Sequence, residues 1–96
     1  MNLDEKSKAF YARLLEQLRD DTEWPSPYLY KFIVPSSLEK IAEIEAVFND
    51  MDALIETRDS SKGNYTSVSV RVTMDSPEAV VEKYQEVSKV EGVISL

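Results

Sequence analysis

Residues 60–70 read SSKGNYTSVSV, and how this stretch turns decides how the rest of the chain is laid out. Glycine and asparagine tolerate positive φ, so Gly63 and Asn64 are expected as the central residues of a tight hairpin turn, with Lys62 paired to Tyr65. The strand that follows, from Thr66 to Met74, alternates strictly. Val68, Val70, Val72 and Met74 lie on one face, and Ser67, Ser69, Arg71 and Thr73 on the other. A period of two marks a sheet with one buried side and one side open to something polar. Counting back from the turn places Arg58 opposite Ser69, Glu56 opposite Arg71, and Ile55 in the core beside Val72. A slip of one residue would bury Glu56 and Arg58 instead.

Working upstream, Ala53 to Ser60 is the partner strand. Ser36 with Glu39 forms a capping box, and a helix follows through Ile41, Ile44, Phe48 and Met51. Tyr28 to Val34 (YLYKFIV) is rich in aromatic and branched residues and reads as a central strand that Pro35 ends. Trp24-Pro25-Ser26-Pro27 is a stiff connector. Before it, from Asp4 to about Asp20, Phe10, Tyr11, Leu14, Leu15 and Leu18 form one helical apolar stripe, with Asn2 or Asp4 as the cap. Downstream, Ser76 caps a helix that has Pro77 at its first position and a core stripe of Val80, Tyr84 and Val87. Gly92 is read as its C-terminal stop, and Val93 to Leu96 as a short last strand.

The order is therefore one helix and then βαββαβ. Two right-handed crossovers give an α+β, ferredoxin-like sandwich: an antiparallel sheet in the order 4-1-3-2, with both later helices on one face. Residues 1–23 read as an N-terminal amphipathic extension and residues 24–96 as the domain proper. The helix needs a surface to pack on, either its own sheet or a second copy.

Composition narrows the function classes. The chain has 96 residues, 43 % of them apolar, with no cysteine and no histidine. Disulfides, thiolate chemistry and the commonest neutral-pH acid–base residue are absent. The net charge of −7 opposes the approach of a phosphate backbone. The middle of the third strand offers no paired aromatics for base stacking, although RNA-recognition modules share the element order. No apolar run is long enough for a membrane span, and the N-terminus lacks a signal peptide's apolar region. A cytoplasmic protein without nucleic-acid or membrane partners is the expectation.

Chemistry-bearing constellations are few. Ser60, Ser61 and Lys62 are adjacent, so their side chains do not converge by spacing alone, and an exposed lysine is a poor base. Asp50 and Asp52, or Asp20 and Asp21 with Glu23, lack the ligand count and the loop of a calcium site. No enzyme, metal or cofactor is expected. By parity the open face carries Lys31 beside Arg71, a like-charge pair that calls for something negative. Glu56 answers it, or Glu16 and Asp20 of a docked N-terminal helix, or else an anionic ligand or a partner's carboxylate. The hairpin tip adds two hydroxyls, an ammonium and a phenol from Ser60, Ser61, Lys62 and Tyr65. The candidate interaction residues are thus Ser60, Ser61, Lys62, Gly63, Asn64, Tyr65, Lys31 and Arg71.

Ser60-Ser61-Lys62-Gly63-Asn64-Tyr65, followed by Ser67-Val68-Ser69-Val70, resembles the signature of the YbeD-like bacterial family of unknown function. Trp24-Pro25-Ser26-Pro27-Tyr28-Leu29-Tyr30-Lys31 resembles that family's aromatic-Pro-x-Pro entry into an aromatic first strand. The resemblance spans about residues 24 to 96, and the helix before it is longer than the family pattern. It implies a ferredoxin-like fold similar to the small regulatory ACT domains. The function expected is a non-enzymatic regulatory or protein-interaction module. The alternative is an ACT-like sensor of a small carboxylate or phosphate, bound at the open sheet or the hairpin. An unknown protein partner, a small anionic ligand and a homodimer built on the free edge strands are the associations expected.

Overall fold

A computed structural model describes residues 5–96; the expected caps Asn2 and Asp4 lie outside the described residues. Seven elements follow one another: α1 (Glu5–Asp21), β1 (Ser26–Pro35), α2 (Leu38–Val47), β2 (Leu54–Asp59), β3 (Tyr65–Met74), α3 (Pro77–Val87) and β4 (Ile94–Ser95). All strand pairs are antiparallel. The four strands lie in the order β2-β3-β1-β4, which read from the other edge is 4-1-3-2.

β1 is central because its inward side chains are too large and too apolar for an edge. Tyr30, Phe32 and Val34 are fully buried, paired with Val70, Val68 and Thr66 of β3. Ile44 and Phe48 come down from the α2 side, and Val80, Tyr84 and Val87 from α3. The Tyr30 ring sits 4.7 Å from that of Tyr28, 4.8 Å from Tyr84 and 5.0 Å from Phe48. Edge-on and tilted packing of this kind adds about 0.5–1.5 kcal/mol per pair beyond the area it buries. The phenols in this cluster are paired. Tyr30 donates to the Val80 carbonyl over 3.1 Å, and the Tyr28 and Tyr84 hydroxyls lie 2.8 Å apart.

Helix α3 begins as its sequence predicts, with the Ser76 hydroxyl accepting from Ala79 N–H over 3.1 Å and Pro77 at the first turn. Helix α2 begins one residue later than expected. Ser37 is the cap, accepting from Lys40 N–H, so no capping box with Glu39 forms. The Ser36 hydroxyl is instead spent on Thr66, 2.8 Å away. Gly92 does not end α3, which is closed by Ser88. Its φ of +82° makes the turn into β4, where a Cβ would stand 3.0 Å from Pro35 Cγ. Between α2 and β2 the chain passes through the left-handed region at Asp50 and Asp52, aspartate being one of the few non-glycine residue types that enter it readily.

The N-terminal helix does not lie on the sheet. α1 packs against α3, extending the helical layer sideways with Tyr11, Leu14 and Leu18 set against the core. Phe10, expected in that stripe, is 54 % exposed. Trp24 fixes the turn by donating its indole N–H to the Leu18 carbonyl over 3.1 Å. Arg19 pairs with Glu78 of α3, its Nε donating over 3.0 Å. That hydrogen bond holds the Glu78 carboxyl below the usual range. Glu16 and Asp20 therefore belong to the helical layer and do not answer Lys31 and Arg71.

Leu14→Ala is expected to destabilise the protein by about 1–2 kcal/mol, less than the roughly 2–5 of a fully buried leucine, because the side chain is half-buried. Leu29→Ala on the other face should stay within about 0.5 kcal/mol of the parent. Urea-unfolding midpoints of the two variants check the side on which α1 packs, and equal losses would contradict it.

Burial, above all, pushes the phenols of Tyr30 and Tyr84 up from their ordinary value, and for Tyr84 the hydrogen bond with Tyr28 adds to it. The unfolded chain then ionises first, binds fewer protons than the folded one and gains on it as pH rises. Stability should hold below the free phenol value of about 10 and fall above it. Tyr84→Phe should flatten that alkaline decline, as read from unfolding midpoints across the alkaline range.

Candidate functional site

With α1 placed elsewhere, no element among the described residues covers the outer face of the sheet. Its side chains stand in three successive rows across the strands: Leu54, Arg71 and Leu29; then Glu56, Ser69 and Lys31; then Arg58, Ser67, Ile33 and Ile94. Ser67 and Ser69 are short and half-buried, whereas their neighbours on β2 and β1 are long. The middle strand is therefore the floor of a shallow trough. Two clefts lie end to end along it. One of about 410 Å³ is lined by Ile33, Arg58, Tyr65 and Ser67 together with Asp59, Ser60 and Ser61 of the hairpin. The other, of about 170 Å³, is lined by Leu29, Lys31, Leu54, Glu56, Ser69 and Arg71.

The hairpin is wider than the sequence suggests. Asp59 pairs with Thr66 as the last ladder position, and Ser60 N–H donates to the Tyr65 carbonyl over 2.8 Å. Residues 61–64 form the loop, so the expected two-residue turn with Lys62 facing Tyr65 is not made. Every partner moves by two: Arg58 faces Ser67, Glu56 faces Ser69, and Ile55 faces Val70. Both registers keep the same side chains inside, so the hydrophobic pattern does not distinguish them. Only Gly63 takes positive φ, at +74°; Asn64 does not. Asn64 serves through its carbonyl, which accepts from Ser36 N–H over 3.0 Å and ties the hairpin to the start of α2.

Ser60 is a turn residue. Its carbonyl accepts from Gly63 N–H over 2.9 Å and its hydroxyl from Tyr65 N–H over 3.3 Å. Thr66 below it donates to Asp59 Oδ1 over 3.0 Å. Of the candidate hairpin residues, Ser60, Ser61 and Tyr65 line the larger cleft, and Tyr65 is 50 % exposed. Lys62, Gly63 and Asn64 stand at the tip, outside that lining.

Lys31 and Arg71 are brought to one cleft, although not side by side. Lys31 faces Ser69 and Arg71 faces Leu29, which makes the two cations diagonal neighbours, a spacing of about 7–8 Å. Glu56 lines the same cleft, yet among the described residues no carboxylate is within ion-pair distance of Lys31, Arg71 or Arg58. Arg58 and Leu54 belong to this surface and were not singled out by motif. Their shared parity with Glu56 on β2 is the signal that locates them. Ile94 joins from β4 and is 54 % exposed. Among the described residues no group of His, Cys, Asp and Glu side chains gathers to hold a metal, and no helix is long and apolar enough to cross a membrane.

Compared with known proteins, the chain matches the family described as "Protein of unknown function (DUF493)" over residues 19–96 and belongs to it. It is 31 % identical over 80 residues to a UPF0250 protein of Sodalis glossinidius, covering 80 % of this chain and 92 % of that one. It is 32 % identical over 74 residues to a UPF0250 protein of Shewanella sediminis, covering 74 % and 84 % of the two chains. It is also 30 % identical over 80 residues to the UPF0250 protein YbeD of Escherichia coli O1:K1 / APEC, again covering 80 % and 92 %. These relatives bear out the YbeD-like resemblance of the two motifs. No solved structure matches the chain.

The hairpin geometry separates backbone need from side-chain use. Nothing stands within 4 Å of a Cβ built on Gly63, so the strain of a substitution there lies in the backbone alone. Gly63→Val should cost about 1–3 kcal/mol. Lys62→Ala should change stability by less than about 0.5 kcal/mol. Melting temperatures of the two variants provide the check.

Proposed function

We propose that the protein is a non-catalytic protein-interaction module of regulatory type, a ferredoxin-like sandwich that docks a partner on its open sheet face. The observation that carries this reading is the position of α1. The N-terminal helix, which has an apolar stripe that could cover the sheet, packs on α3 instead, leaving Leu29 and Leu54 exposed in the first row and Ile94 exposed beside half-buried Ile33 in the third. Scattered exposed leucines are ordinary, but four apolar side chains gathered with three cations on one open sheet face make a surface on which a partner can dock. Both clefts on this face are shallow and open onto solvent, a shape better matched by a partner's surface than by an enclosed small molecule. Ser61, Lys62 and Tyr65 at the hairpin extend the same surface, in keeping with loops on rigid scaffolds being common sites of function.

The test is affinity capture from a bacterial extract with the parent protein and with Leu29→Ser/Leu54→Ser as bait. The parent should retain a partner that the double variant loses, while the melting temperatures of the two baits stay close. Equal capture by both baits removes the sheet face from consideration. A rise in melting temperature with a free carboxylate or nucleotide, together with no Leu29-dependent partner, would favour a small-molecule sensor.

A further inference from the structure

The charge on the open face has the opposite sign to that of the chain. Lys31, Arg58 and Arg71 stand on it with the carboxylate of Glu56, and Asp59 borders its larger cleft at the hairpin end, whereas the whole chain carries −7. Among the described residues none of the three cations is ion-paired. A surface of this kind draws a negative partner out of solution and turns it into register.

The shape of the face narrows the occupant further. The trough is floored by β3 and flanked by β2 and β1, whose axes lie two strand spacings, about 10 Å, apart. An α-helix laid along β3 is about 10–12 Å across with its side chains, so one helix touches the side chains of all three strands. From Tyr65 to Arg71, the large residues that bound the serine floor, β3 runs about 20 Å, the length of about 13 helical residues. An extended strand laid on this floor would leave its backbone groups without partners. The floor offers only the hydroxyls of Ser67 and Ser69, and that of Ser67 already donates to the Arg58 carbonyl. A helix satisfies its own backbone and needs only side-chain contacts.

Resting on the docking reading above, we infer that the trough receives an acidic amphipathic helix of a partner protein. Its leucine-type residues lie against Leu29, Leu54 and Ile33, and its carboxylates reach Lys31, Arg58 and Arg71. A second copy fits less well. Two open faces brought together set three cations against three, with Glu56 and the bordering Asp59 on each side too few to answer them. An anionic membrane also fits less well, because the remainder of this acidic chain is repelled by it.

The probe is a hydrocarbon-stapled, fluorescein-labelled peptide of about 13 residues with leucine at i, i+3, i+4 and i+7 and glutamate at most other positions. Its counterpart carries lysine for every glutamate. Fluorescence anisotropy with the full chain should show the glutamate peptide binding at least about ten-fold more tightly than the lysine peptide at low salt. That preference should shrink toward about 0.15 M salt. Lys31→Glu/Arg71→Glu should weaken the glutamate peptide by about ten-fold or more. Should that variant prove unstable, Lys31→Ala/Arg71→Ala replaces it, with a smaller loss in the same direction. Equal affinity for the two peptides, no binding of either, or indifference to both charge variants overturns the inference. So does binding of phosphatidylserine vesicles, or self-association in sedimentation equilibrium, that the charge reversal abolishes. A captured partner that needs Leu29 and Leu54 but ignores Lys31→Glu/Arg71→Glu refutes the acidic helix and leaves face docking intact. Loss of the Leu29-dependent capture itself refutes the docking reading first.

Discussion

β1 pairs with β3 along its whole length, Ser26 against Met74 through Pro35 against Tyr65, and the aromatic side chains on its inner face occupy the centre of the core. Tyr30 and Phe32 are too large to be covered by a sheet alone. They require helices α2 and α3 above them, and their rings and hydroxyls set where α3 lies. Tyr30 holds the Val80 carbonyl and Tyr28 the Tyr84 hydroxyl. Once α3 is fixed in this way, α1 has a ready neighbour. Tyr11, Leu14 and Leu18 meet the flank of the helical layer, Trp24 closes the connector, and Arg19 reaches Glu78. The free outer face of the sheet thus follows from how the inner face is filled.

Much of this is legible in residue order. The alternation of β3 states its two faces outright, and the Ser76-Pro77 pair marks the start of α3 to the residue. Two local features are not legible, for different physical reasons. The hairpin register differs from the expected one by two positions, and a shift of two returns every side chain to its own face, so burial is unchanged. What decides it is local bonding: Ser60 closes onto Tyr65 through backbone and hydroxyl together, a device that the preference of Gly63-Asn64 for tight turns conceals. The cap of α2 is the second case. Ser36 and Ser37 are equivalent by type, and only tertiary contact separates them, since Thr66 and the Asn64 carbonyl both claim Ser36.

The candidate site divides along similar lines. Parity alone places Lys31 and Arg71 on the open face, and they share a cleft there. The hairpin residues divide between two roles. Ser60, Gly63 and Asn64 are consumed by making and anchoring the turn, while among the described residues no side-chain hydrogen bond or ion pair engages Ser61, Lys62 or Tyr65. The destination of α1 was beyond reach of the sequence. An amphipathic stripe shows that a helix must bury one side, and it does not name the surface that receives it. Leu29 and Ile33 offered one such surface and the flank of α3 another. The flank of α3 also offered a carboxylate for Arg19, while Trp24 bonds back onto the end of α1 itself at the Leu18 carbonyl.

A sheet face left open must resist pairing with the wrong neighbour while remaining able to meet the right one. This one does so through composition. Ser67 and Ser69 replace what would otherwise be an apolar stripe down the central strand, and Glu56, Arg58 and Asp59 put charges on the edge strand β2, where uncontrolled strand addition would start. β4, the other edge, forms only two ladder pairs with β1 and offers little template. The apolar residues that remain, Leu29 and Leu54 on one row and Ile33 and Ile94 on another, are separated by those serines and cations. Water can wet the face, and burying it is favourable only for a surface that brings both apolar contact and negative charge. The cations add little binding energy at an exposed rim. Their main effect is selective: they leave uncompensated charge under any neutral or basic surface that settles there, so the same few leucines can serve one class of partner without inviting the rest.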